Sequence, residues 1–251
     1  MSGYELSAPV AIDRYFELRL YQMVPSRMPD FHDLLGVQVP SIFEHNGIAR
    51  PLGFWESHAG RLAPLFAYII PWTNLDARME NWKRFYADPE WKEKLAANYA
   101  GEQRVERSDI LILRPSPVWQ RLKEPASDVE IGGVHELCFH DILNQDPAKA
   151  HDALAEIDLP FLKARGARIL GVFSTWFGAR MNQAVTILAW PDSATMQSAY
   201  REQIFDKAII EARDAERARF GRPLFRGVDR HIMTPIPYGV PKANLGTEPR
   251  A

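Results

Sequence analysis

Three residues with chemical reach stand two apart in the segment Val134-His-Glu-Leu-Cys-Phe-His140: Glu136, Cys138 and His140. Alternate side chains of an extended strand share a face, so all three point the same way. An imidazole with an ordinary pKa near 6.5 trades protons at neutral pH, and a carboxylate on its own face can set its protonation. The pattern suits acid/base chemistry, with His140 as acid or base and Glu136 as its orienting carboxylate. Cys138, between the apolar Leu137 and Phe139, reads as a core thiol or a ligand contact rather than a nucleophile. The same spacing recurs earlier, in Tyr15-Phe-Glu-Leu-Arg-Leu-Tyr21, where Glu17, Arg19 and Tyr21 form the polar set. The blander reading is an ion pair, because a buried charge is retained only when it is paired.

Other candidates cluster on the same elements. His231 falls where the first copy of the pattern has Leu111, and Tyr68 and Thr186 occupy equivalent positions from which each could offer a ligand a hydroxyl. Trp55 and Trp176 would wall a pocket for a planar apolar molecule. Asn182 reads as a turn, and Asp88-Pro-Glu-Trp91 as a capped helix start. His32, His45, His58 and His151 have no partner in view and read as solvated. No CxxC, clustered Cys/His, glycine-rich phosphate loop or Ser-His-Asp order is present, so no metal site is expected.

The elements that must position these groups occur twice. Pro40 and Pro160, Gly47 and Gly166, Gly53 and Gly171, Gly60 and Gly178, Trp72 and Trp190, and Pro115 and Pro235 repeat at an offset of 118 to 120 residues. So long a period is a domain duplication, not a solenoid. Residues 14–23 alternate apolar and polar as a strand does. A helix follows, with Ser26 as its cap, Phe31, Leu34, Leu35, Ile42 and Phe43 on one stripe and Gly47 as its stop. Its counterpart starts at Asp146-Pro147, and Pro40 and Pro160 predict a kink in both. Two strands, a second helix and a last strand complete each copy. The domains are then 14–115 and 134–235, joined by a linker over 116–133 and followed by an extended tail over 236–251.

The order βαββαβ is that of a ferredoxin-like unit, whose sheet carries helices on one face only. The predicted class is α+β: tandem ferredoxin-like domains packed sheet to sheet as an intramolecular pseudo-dimeric barrel. The linker spans a domain at up to ~3.3 Å per residue. Contacts between the halves should involve strands 14–23 and 134–142. In this arrangement Phe16, Leu18 and Leu20 would pack beneath helices, and Glu17, Arg19, Tyr21, Glu136, Cys138 and His140 would point into the barrel. His135 would face the helices.

The chain has 251 residues, 46% of them hydrophobic, which is enough for two ordinary cores. A net charge of −2 with no basic block argues against nucleic acid or an anionic membrane as partner. One cysteine excludes an intramolecular disulfide. Met1 to Ile12 has no secretory or mitochondrial pattern, and no stretch approaches the ~20 apolar residues of a membrane span, so a cytoplasmic location is expected.

Glu17-Leu-Arg-x-Tyr21, Gly53-Phe-Trp55, Trp72 followed by Leu75 and Arg78, and Asp88-Pro-Glu-Trp91 resemble the NIPSNAP family of dimeric α+β barrel proteins. The resemblance covers residues 14–115 and is legible again in Glu136-Leu137, Leu170-Gly171, Asn182-Gln183 and Trp190. The second copy departs from it, with no Asp-Pro-Glu-Trp and with Cys138 and His140 in place of Arg19 and Tyr21. The resemblance implies the barrel fold for both halves. The wider group includes cofactor-free monooxygenases of aromatic substrates, polyketide cyclases and haem enzymes, which use the sheet–helix cavity or the barrel interior. Haem would need an axial imidazole, for which His140 and His231 are the strand candidates; otherwise no cofactor is expected.

Two functions follow. One is an enzyme acting on a small apolar or aromatic carbonyl or phenolic substrate by acid/base or cofactor-free oxygen chemistry. It would work in the second half, with His140 and Glu136 catalytic and Glu17, Arg19, Tyr21, Tyr68, Cys138, His231, Trp55 and Trp176 around the ligand. The other is a module that binds a small ligand or a protein without turnover. In either case the partner is a small molecule in the barrel cavity, with a homo-oligomer possible.

Overall fold

The computed structural model describes residues 14–99, 101–122, 129–143, 146–178, 180–242 and 245. Eight antiparallel strands close into one barrel: β1 (Tyr15–Met23), β2 (Gly53–Ala59), β3 (Leu65–Trp72), β4 (Val105–Pro115), β5 (Val134–Ile142), β6 (Arg168–Phe177), β7 (Gln183–Trp190) and β8 (Phe225–Pro235). The order around the barrel is β1-β3-β2-β8-β5-β7-β6-β4, with β4 pairing back onto β1. The two halves are therefore stitched edge to edge, β2 to β8 and β4 to β6, as well as packed across the interior. Closure removes the free edges that each four-stranded sheet would otherwise expose. β1 and β5 stand opposite each other and meet through the interior cluster rather than by pairing.

That interior is filled by one apolar cluster. Phe16, Leu18 and Leu20 pack there with Leu137, Phe139, Phe173 and Ile187, so residues of both halves share one core. All eight positions of β3, and all eight of β7, are buried, because helices cover the outer face while the barrel fills the inner one. The repeated Gly53 and Gly171 have a steric cause. A Cβ at Gly53 would lie 2.6 Å from the Trp55 ring, and one at Gly171 would collide with Phe173, both rings filling the barrel.

Each half lays its helices over its own sheet. In the first, α1 (Met28–His32) runs through a π-helical stretch, Asp33–Gln38, into α2 (Val39–His45). In the second, α6 (Pro147–Ala153) runs through Leu154–Asp158 into α7 (Leu159–Lys163). Pro40 and Pro160 each sit second in the segment after the widened turn, so the kink or break expected there takes the form of a π-helical interruption that accommodates the missing N–H. Asp146 caps α6 through Lys149 N at 3.3 Å, but Ser26 caps nothing: it takes a left-handed φ of 69° and Arg27 is the N-cap. The second helical region is two helices in both copies, α3 (Leu75–Ala87) with α4 (Pro89–Tyr99), and α8 (Ser193–Phe205) with α9 (Lys207–Phe220). Asp88 and Asp206 start the second of each pair by accepting Glu90 N (2.8 Å) and Ile209 N (3.0 Å), so the break survives in the copy that lacks the proline.

The linker carries α5 (Trp119–Leu122), with Trp119 buried against the second half's helices. The tail packs where it is described: Tyr238 lies edge-on to Phe54, the Lys242 backbone pairs with that of Glu130 in an isolated antiparallel bridge, and Leu245 is buried. Residues 123–128 of the linker, 246–251 of the tail and Met1–Ile12 lie outside the described residues. Among the described residues no helix is long and apolar enough to cross a membrane.

Candidate functional site

The polar sets of β1 and β5 face the helices, not the barrel interior. Alternation along a strand separates two faces without saying which is inside, and here both are buried. A closed eight-stranded interior offers few donors, and an unmatched charge there costs several kcal/mol. The helix side supplies indole, guanidinium and phenol donors, so Glu17, Arg19, Tyr21, Glu136, Cys138 and His140 lie on that side. His135 turns inward instead, accepting Trp55 Nε1 at Nδ1 (2.8 Å) and donating from Nε2 to the Ile131 carbonyl (2.9 Å). Trp55 therefore packs in the barrel interior. His231 is buried at one end of the barrel, edge-on to Phe139 at 6.0 Å, with Nδ1 unpartnered.

In the first half the carboxylate is saturated. Glu17 Oε1 accepts Arg19 Nε (2.7 Å) and Arg78 Nη2 (3.0 Å), while Oε2 accepts Arg78 Nε (2.8 Å), Trp72 Nε1 (2.9 Å) and Trp82 Nε1 (2.9 Å). Burial alone would push the carboxyl up, but Arg19, Arg78 and Trp82 outweigh it and hold Glu17 below its ordinary value. Arg19 stacks 3.8 Å over Trp82 and donates from Nη1 to Tyr21 Oη at 2.7 Å, which meets Tyr68 Oη at 3.1 Å. Burial raises both phenols, which stay protonated. Arg19, Tyr21 and Tyr68 front a cavity of about 150 Å³ whose other walls include Phe31, Phe43 and Phe85.

The second half rebuilds this arrangement from different positions. Arg19 pairs across the ladder with Ile110, whereas Cys138 pairs with Arg230, so the guanidinium has moved from the first strand of the unit to its neighbour on the last. Arg230 stacks 4.0 Å over Tyr200, as Arg19 does over Trp82, and Tyr200 Oη donates to Glu136 Oε2 at 2.6 Å. The carboxylate is not saturated here. Glu136 Oε1 has no hydrogen-bond partner, and neither has Arg230 Nε, 3.9 Å away. Burial raises the Glu136 carboxyl, and Tyr200 and Arg230 offset this only in part.

His140 and Glu136 are not brought together. Four residues along a strand separate them by about 13 Å of backbone, and His140 Nε2 bonds Thr186 Oγ1 at 3.0 Å instead. Burial, then the Arg230 charge, push the imidazole down to about 3, so it is neutral at working pH. Cys138 is no nucleophile: burial and then Glu136 push its thiol up to about 12. His140 and Cys138 border a cavity of about 180 Å³ that also touches Asp158, Thr186, Tyr200, Arg213 and Arg230, and Glu136 reaches it through Tyr200. A cavity of ~150 Å³ in an unrelated protein holds benzene, so each of these two has the volume of a single ring. Both volumes lie below the ~300 Å³ or more that drug-sized ligands need, and haem is larger than these.

Two histidines expected in solvent are held by the protein. His151 bonds Ser116 Oγ (2.8 Å) and Ser174 Oγ (2.9 Å), and His32 bonds Tyr238 Oη (3.0 Å) and Glu56 (3.3 Å). His45 is exposed, and the His58 side chain lies outside the described residues. Trp176 stacks on Tyr15 at 4.9 Å, and Asn182 turns the chain with φ of 58°.

A pH dependence follows from three buried imidazoles. His135 and His151 are each pushed down to about 4 by burial, and His140 to about 3. The unfolded chain takes up these protons first, so the stabilisation is complete above about pH 6.5 and is lost as pH falls toward 4 and below. Each group contributes a slope of up to about 1.4 kcal/mol per pH unit in that window. Urea midpoints measured from pH 7 to 4.5 should fall steadily; a flat profile would contradict the buried neutral state.

Sequence reasoning missed Trp82, Arg78, Tyr200 and Arg230. The signal was available in part, since Trp82 and Tyr200 are aromatic donors at the 118-residue offset of the duplication. The arginine transfer leaves no such trace, because Arg230 aligns with Ile110.

No curated protein matches the chain. Among solved structures, a Lactobacillus acidophilus protein provisionally assigned as a monooxygenase is 11% identical, with 93% of this chain covering 97% of that one at a TM-score of 0.56. An anthrone oxidase-like protein is 16% identical, with coverage of 89% and 92% and a TM-score of 0.54. Both share the fold over nearly the whole length. A NIPSNAP domain protein from Burkholderia xenovorans is 20% identical, with 41% of this chain covering 95% of it at a TM-score of 0.36. The NIPSNAP family model matches residues 16–120, the stretch of this chain from β1 through β4 into α5.

Proposed function

We propose that the second half's sheet–helix cavity is an active site that takes a proton from a single-ring phenol or an enolisable carbonyl compound. The observation that carries this reading is the contrast between Glu17, met by five N–H groups, and Glu136, met by Tyr200 with Oε1 left open beside Arg230. A carboxyl raised by burial, incompletely paired and joined to a cavity through Tyr200 is placed for proton transfer. The substrate hydroxyl donates to Tyr200 Oη as the Tyr200 proton passes to Glu136 Oε2, and Arg230 offsets the charge left on the substrate oxygen. His140 stays neutral and orients the ligand with the nitrogen not engaged by Thr186. This transfers the proton-carrying role from His140 to Glu136, whose pKa is raised toward neutrality while that of His140 is lowered away from it.

The anion so formed is the species from which isomerisation, cyclisation or oxygenation without a cofactor proceeds. The names of the two full-length fold neighbours favour oxygenation, although at 11% and 16% identity they carry the fold alone. The first cavity, with its polar groups already engaged, suits ligand binding without turnover.

The test is a thermal-shift and turnover screen of phenols, aromatic acids and β-dicarbonyls against wild type, Tyr200→Phe and His140→Phe. Tyr200→Phe should keep ligand binding and lower turnover by roughly 10² or more. Equal rates in wild type and Tyr200→Phe would remove the relay.

A further inference from the structure

Where β4 meets β6, outside the barrel and apart from both sheet–helix cavities, lies a cavity of about 290 Å³ bordered by Arg114, His151, Ser174 and Trp176. Arg114 has an aromatic floor but no counter-ion. Its guanidinium lies 3.4 Å over Trp176, which itself stacks on Tyr15, and its Nε is buried without a partner. Among the described residues no carboxylate pairs with it and none of its N–H groups is engaged. A guanidinium is always charged and presents donors in a fork that fits a carboxylate, so leaving it unpaired beside a cavity calls for an anion from outside the chain.

The duplication supplies an internal comparison. Arg114 pairs across the ladder with Ser174 at this junction, and Thr234 pairs with Glu56 at the other. One junction therefore holds a cation facing a hydroxyl, and its twin a hydroxyl facing a carboxylate. Each junction has a histidine behind it: His151 reaches Ser174, and His32 reaches Glu56. Ser174 is further positioned, because His151 also bonds Ser116, whose Oγ accepts Val118 N at 3.3 Å. With His151 Nε2–H donating to Ser174 Oγ, the Ser174 proton is left to face a ligand.

We propose that this cavity binds a small organic carboxylate. Arg114 holds the carboxylate, Ser174 donates a second hydrogen bond, and the apolar remainder rests against Pro115, Pro117, Ile142 and Pro147 on the same wall. The volume exceeds the ~150 Å³ that suffices for one ring, so a substituted ring or a short branched acid is accommodated. Nothing in this assignment depends on turnover in the second-half cavity.

The test is titration of the full chain with benzoate, with benzamide as its uncharged counterpart and inorganic phosphate as an anion without an apolar part. Trp176 beneath Arg114 provides a fluorescence readout, and calorimetry provides a second that does not depend on it. Benzoate should bind saturably at millimolar concentration or below while benzamide and phosphate bind more weakly. Arg114→Gln should weaken benzoate by roughly 10- to 100-fold, the worth of a charge-assisted hydrogen bond. Ser174→Ala, which keeps the arginine and the fold, should weaken it several-fold. Absence of saturable benzoate binding, equal affinity for benzamide, phosphate binding in preference to benzoate, or unchanged affinity in a folded Arg114→Gln would each overturn the assignment.

Discussion

Glu17→Ala should lose about 3–5 kcal/mol of stability, the penalty for breaking a buried ion pair by removing one partner. At ~2–4 °C per kcal/mol for a chain of this size, the unfolding midpoint should drop by roughly 6–20 °C. The size of the effect follows from what is left behind. Arg19 is buried and its Nε is held by Glu17, and two indole N–H groups, of Trp72 and Trp82, lose their acceptor with it. This carboxylate ties α3 to the sheet, since Arg78 and Trp82 both come from that helix. Because the Glu17 carboxyl sits below its ordinary value, its contribution is complete above that value and disappears as pH falls through the folded-state pKa. Thermal and urea unfolding of Glu17→Ala and of the isosteric Glu17→Gln at pH 7 decide the matter. A loss below about 1 kcal/mol in both would mean the network is ornament.

Glu136→Gln should show the opposite balance. The Glu136 carboxyl is raised, so the fold favours its neutral form; the neutral form stabilises most at low pH, and that contribution is lost as pH rises. A neutral amide of the same shape still accepts from Tyr200, and wild type and variant should converge in stability as the medium is acidified. At neutral pH the variant should be as stable as wild type or more so. Turnover of whichever phenol or dicarbonyl the screen identifies should nevertheless fall by roughly 10²–10⁴, the usual worth of a positioned proton carrier. Rates are to be compared alongside urea curves on the same samples. Destabilisation like that of Glu17→Ala would make Glu136 a second structural carboxylate, and an unchanged rate would leave the cavity a binding site.

The repeat of elements, their order and the identity of the polar strand residues were legible in the chain, because each is written locally: a period of two along β1 and β5, glycines and prolines at a constant offset, an aspartate before α4 and before α6. Strand closure into one barrel was legible only as a need, since each sheet required cover on its second face; that β2 joins β8 and β4 joins β6 depends on pairings between residues more than 50 positions apart.

What the sequence by itself determined is which residues share a face: Glu17, Arg19 and Tyr21 stand together, and so do Glu136, Cys138 and His140. Which way each face points was decided only in the tertiary structure. Both faces of β1 and β5 are buried, so hydrophobicity does not distinguish inside from outside, and the choice rests on where donors for a carboxylate exist. Those donors come from α3, from α8 and from the last strand, far along the chain. The same holds for the arginine. Arg19 and Arg230 occupy non-equivalent positions in the repeat yet stack over equivalent aromatics beside equivalent carboxylates, because in a sheet a neighbour across the ladder and a neighbour along the strand reach the same space.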